Sequence, residues 1–134
     1  MSNTIKNKDS NNGHLIDVSV TTEYLSKQSL PEESRYAFAY HITISNRGVL
    51  DAVLLKRHWI IIDANQQRQE VKGVGVIGEQ PLIPSGGAYS YSSGVVLKTP
   101  VGTMHGSYQL VDELGDPVEA TVEPFLLATP NTVH

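Results

Sequence analysis

The sequence predicts an all-β domain of immunoglobulin or fibronectin type III character, a two-sheet antiparallel sandwich of roughly seven or eight strands. Three observations lead there. Apolar and polar residues alternate with period two in segment after segment. Clusters of Gly, Pro, Asn and Asp interrupt those segments about every 8–12 residues. No segment carries a convincing helical pattern. A closed barrel is the alternative architecture.

Taken in order, residues 1–13 are polar, rich in Asn, Lys and Ser, and bury too little to offset their ordering entropy, so they read as a disordered arm. Residues 14–24 alternate, with Ile16, Val18 and Val20 facing one way and Asp17, Ser19 and Thr21 the other. A loop containing Pro31 follows. Residues 35–45 form the cleanest strand, with Tyr36, Phe38, Tyr40, Ile42 and Ile44 on one face. Asn46-Arg47-Gly48 is turn chemistry. Residues 49–63 are apolar on both parities, as expected of a central segment covered on both sides. The turn at 63–66 leads into a short charged strand at 67–72, then a glycine bend. Leu82-Ile83, the segment 88–92 with Tyr89 and Tyr91, and residues 103–111 with Met104, Gly106, Tyr108 and Leu110 on one face supply further strands. A hairpin at 112–116 returns Val118, Ala120 and Val122 to the core. The domain is placed at 14–126, with 127–134 as a flexible tail.

A chain of 134 residues fits one domain large enough to bury a core. With no cysteine, disulfides, thiolate metal sites and cysteine catalysis are excluded, and a cytoplasmic location is expected. The longest apolar candidate, Trp59-Ile60-Ile61-Ile62, stops at Asp63, far short of the ~18 residues of a membrane span. The net charge of −4 and the scattered cations argue against nucleic acid as partner. The uncharged middle of the chain leaves homo-oligomerisation open.

Residues Gly73-Val74-Gly75-Val76-Ile77-Gly78 have the G-x-G-x-x-G spacing of a dinucleotide site. That mechanism needs a helix starting at the glycines and aimed at a pyrophosphate. Instead come Glu79-Gln80-Pro81-Leu82-Ile83-Pro84-Ser85-Gly86-Gly87, whose prolines and glycines forbid it. No carboxylate stands at the position, about 20 residues on, that would hold a ribose hydroxyl. The glycines therefore shape a bend between extended segments.

Three blocks occur in one order: Arg57-His58-Trp59-Ile60-Ile61, the glycine stretch through Pro81, and Leu97-Lys98-Thr99-Pro100-Val101-Gly102-Thr103-Met104-His105-Gly106-Ser107-Tyr108. Together they closely resemble the bacterial ApaG family, over about residues 15–125. The resemblance implies a fibronectin type III-like sandwich. It also implies an association with cobalt tolerance and magnesium efflux, and with genes beside a diadenosine tetraphosphate hydrolase. Related domains in F-box proteins and in a DNA polymerase δ-interacting protein act in protein interaction. No catalytic residues carry over.

The residues also suggest sites. Arg57 and Lys72, brought near Gly73, Gly75 and Gly78 by strand pairing, make a candidate anion nest for a pyrophosphate-containing ligand. The alternative pairs Arg57 with Glu79 or Glu70. His58 and His105 are the best pair to test for a divalent cation, although the histidines show no ligand spacing. No catalytic motif is present, so no enzyme activity and no cofactor are expected. Tyr89, Tyr91, Met104 and Tyr108 lie either at an interface or in the core; Trp59 is expected in the core. The leading expectation is a non-enzymatic module binding a protein through Glu79, Gln80 and Pro81 together with Thr99, Pro100 and Gly102. The alternative is a sensor for a pyrophosphate-containing nucleotide or a divalent cation.

Overall fold

The computed structural model describes residues 15–130 as eight strands and two single 3₁₀ turns, so the expected 1–13 arm lies outside the described residues. The strands are β1 (Ile16–Tyr24), β2 (Tyr36–Asn46), β3 (Ala52–Asp63), β4 (Arg68–Val74), β5 (Leu82–Ile83), β6 (Ala88–Leu97), β7 (Val101–Asp112) and β8 (Pro117–Ala128). They form two antiparallel sheets, a three-stranded one ordered β1-β2-β6 and a five-stranded one ordered β4-β3-β7-β8 with β5 also on β3. The expected all-β sandwich is what the chain adopts. Among the described residues no helix is long and apolar enough to cross a membrane.

Alternation sets the core. Phe38, Tyr40, Ile42 and Ile44 of β2 face inward, as do Leu54, Trp59 and Ile61 of β3. Trp59 sits at the centre, edge-on to Tyr40 (5.7 Å), Tyr108 (5.7 Å) and Phe125 (6.0 Å). Gly106 lies opposite it in register, where a Cβ would come within 1.9 Å of the His58 carbonyl oxygen and 3.0 Å of the indole. The side chains left between core and interface resolve inward: Met104 and Tyr108 are buried, Tyr89 and Tyr91 pack against the core half-exposed.

Several boundaries differ from the sequence expectation, each for a local reason. The segment at 49–51 is outside β3, and Val49 is 88% exposed. The outer face of β3 is only partly covered: Ile60 is buried, whereas Lys56 is exposed. β6 runs on to Leu97, because Ser93 and Gly94, which break the apolar pattern, still pair with Tyr40 and Ala39. β8 continues to Ala128, so Leu127, expected in the flexible tail, is fully buried. A bulge between Met104 and Gly106 leaves two β8 residues, Glu123 and Pro124, against one of β7 and shifts the parity.

The two sheets meet unequally along their edges. On one side β1 lies against β8, and the Thr22 hydroxyl donates to the Leu126 carbonyl (3.4 Å). On the other side the outer strands β4 and β6 do not pair. A cleft therefore runs between the sheets below the glycine hairpin.

Candidate functional site

The glycine stretch folds as a tight hairpin. Val76 and Glu79 exchange both backbone hydrogen bonds (2.9 Å each), and the two residues between them, Ile77 (φ 50°) and Gly78 (φ 75°), are left-handed. A type I′ turn requires positive φ at both central positions, which Asn-Gly satisfies at least cost. Ile77 is β-branched, and its conformation is a true outlier. Backbone after Gly78 stays extended, as expected. The amides of Gly75, Val76 and Glu79 all donate to backbone carbonyls, Gly75 to Leu55 at 2.7 Å.

Each glycine has its own task. A Cβ on Gly73 would lie 2.6 Å from the Arg57 guanidinium carbon, so its absence makes room for that group. One on Gly75 would stand 2.1 Å from the Glu79 carbonyl oxygen. One on Gly78 would meet nothing within 4 Å; there the turn alone requires glycine.

The structure does not bring Arg57 and Lys72 to one face. Arg57 pairs with Gly73 and His58 with Lys72, so Arg57 points between the sheets while Lys72 points to the outer face. The amides of Gly75, Val76 and Glu79 are already engaged. Nor does Arg57 pair with Glu79 or Glu70: among the described residues it has no carboxylate partner, and its Nη1 donates to the carbonyls of Gly75 (2.8 Å) and Val74 (3.3 Å). Glu70 instead accepts from His58 Nε2 at 2.6 Å, with Arg68 and Lys72 each at 3.9 Å. The His58 hydrogen bond, more than the neighbouring cations, holds the Glu70 carboxyl below its ordinary value.

His58 and His105 do share the outer face, because His58 pairs with Ser107 and His105 with Ile60. Among the described residues no group of three or more His, Cys, Asp or Glu is placed to hold a metal ion.

The predicted contact surface divides in two. Glu79 and Gln80 are exposed, Gln80 Nε2 donating to the Leu55 carbonyl (3.1 Å), and Pro81 accepts from Leu54 N (3.0 Å). Thr99 is only 7% exposed and structural: its hydroxyl donates to Val101 O (2.8 Å) and accepts from Ala64 N (3.0 Å). Gly102 is buried opposite Asp63, and Pro100 is half-buried. The hairpin hangs on Leu55 and the second loop on Asp63, roughly 26 Å apart at the rise of a strand. Thr99 and Gly102 therefore do not join Glu79 in one surface. What composition missed is apolar: Val74 (67% exposed), Ile77 (59%) and Leu82 (56%) stand out around the hairpin. The only sequence signal was an Ile where a tight turn favours Asn.

A family model described as the ApaG domain matches residues 26–112. Protein ApaG of Ectopseudomonas mendocina (strain ymp) is 56% identical over 119 residues, covering 89% of this chain and 94% of the relative. Protein ApaG of Pseudomonas syringae pv. tomato is 51% identical over 125 residues, covering 93% and 99%. Among solved structures, the putative ApaA protein from Bordetella pertussis superposes with a TM-score of 0.85 at 47% identity, covering 87% of this chain and 95% of that one.

Proposed function

The chain belongs to the ApaG domain family, and on that premise we propose that it is a non-enzymatic binding module of the cytoplasm whose protein partner docks on the hairpin at 74–82. One observation carries this reading. Ile77 holds a left-handed backbone that costs a β-branched residue about 1–2 kcal/mol, yet its side chain is 59% exposed and gains little packing in return. Strain combined with an exposed apolar side chain is explicable if a partner covers it. Val74 and Leu82, set opposite Lys56 and Val53 on the edge of β3, extend the apolar surface, with Glu79 and Gln80 as its polar rim. The family's association with cobalt tolerance and magnesium efflux supplies the cellular setting in which such a partner is sought.

The test uses Ile77→Asn, which suits the turn. We expect melting to shift upward while capture of a specific partner from a lysate of the source organism is lost. Titration of that partner against both variants then gives the affinity change, at least tenfold for a central anchor. Undiminished affinity in a stabilised variant removes the hairpin tip from the binding surface.

The nucleotide alternative gains nothing from the geometry, because Arg57 and Lys72 face apart.

A further inference from the structure

We infer that the cleft between the sheets is a binding site for a small planar aromatic carboxylate, held by Arg57 among the rings of Tyr40, Trp59 and Tyr91. This goes beyond the docking of a partner on the hairpin, and its residues face inward rather than out.

The cleft comprises two adjoining cavities, of about 390 and 280 Å³, that share Tyr40, Arg57 and Ser93. The larger has the volume of a ligand pocket. It opens along the side where β4 and β6 leave the sandwich unpaired. Trp59, 1% exposed, forms part of the floor of the larger cavity. Arg57 is the only charged residue lining either cavity and has no carboxylate partner among the described residues. Its Nη1 is occupied by the hairpin carbonyls, while among the described residues no partner engages Nε or Nη2. That remaining edge of the guanidinium is the fork that matches a carboxylate with two parallel hydrogen bonds.

Charge and shape narrow the ligand. A single cation in a half-enclosed site compensates one negative charge; a dianionic phosphate would bring a second with no partner. The space lies between two facing sheets and is lined by the rings of Tyr40, Trp59 and Tyr91, which suits a flat apolar body over a branched one.

The chain contains one tryptophan, so its indole N–H resonance reports this cleft alone. Benzoate and indole-3-acetate are titrated to 10–20 mM (about the weakest useful range) against the intact chain, with benzyl alcohol as the neutral control. We expect the indole signal to shift saturably with either carboxylate and not with the alcohol. Arg57→Gln should weaken binding at least tenfold. Because that change also loosens the hairpin, Ser93→Leu serves as the second variant: it fills the cleft from β6, leaves Arg57 and Trp59 themselves unchanged, and should abolish the shift with the fold retained. An unmoved indole signal, an equal response to the alcohol, or undiminished binding in folded Ser93→Leu each overturns the assignment. A response to pyrophosphate alone overturns it too, in favour of a phosphate ligand.

Discussion

Gly75 and Gly78 share a positive φ and differ in everything around them. Gly78→Ala should cost about 1–2 kcal/mol, the penalty of left-handed backbone with no collision added. Gly75→Ala should cost clearly more, because the new methyl would sit 2.1 Å from a backbone oxygen that cannot step aside. Urea unfolding of the two variants measures the difference, and equal losses would show that the hairpin yields freely. At this scale the sequence was legible for the glycines and misleading for Arg57. The bend was recoverable from the prolines and glycines after Gly78. The partner of Arg57 depended on a register that differed by one residue, Gly73 in place of Lys72, and one residue turns a side chain to the other face.

The elements show where periodicity carries information and where it fades. β2 from Phe38 onward and β7 on either side of Gly106 alternate, and their inward faces were readable residue by residue. β8 was cut short because Glu123 and Pro124 oppose a single residue of β7, after which Phe125 and Leu127 resume the inward face on the opposite parity. Leu127 is fully buried, so Leu127→Ala should destabilise the domain by about 2–5 kcal/mol, as in other core truncations. A loss below about 0.5 kcal/mol in denaturant titration would return the strand's end to the tail. The loop at 97–102 looked exposed for a related reason: Thr99 is polar, and nothing in a linear reading reveals that its hydroxyl ties the turn to Ala64, far away in the chain.

The whole molecule is held across its open side by chemistry rather than by strand pairing. Tyr91 of β6 and Tyr108 of β7 join hydroxyl to hydroxyl between the sheets, and burial above all raises both phenols from their ordinary value of 10. The folded chain therefore keeps protons that the unfolded chain releases above that pH. Stability is complete below about pH 10 and declines as pH rises, by up to about 1.4 kcal/mol per pH unit for each tyrosine. Urea midpoints between pH 8 and 11 should fall accordingly, and Tyr108→Phe should flatten the slope; a pH-independent midpoint would refute the linkage. Sandwich architecture was legible at this scale from strand count and turn spacing. The asymmetry of its edges was not, since edge position follows from topology rather than from any one segment.

That asymmetry bears on how copies of the chain behave when crowded. β4 carries Arg68, Glu70 and Lys72, charges that discourage a neighbour from aligning there, whereas β6 bears no formal charge from Ala88 to Leu97. Lateral growth into fibrils would thus begin at β6, and a lysine placed outward on that strand is the change that keeps concentrated solutions clear.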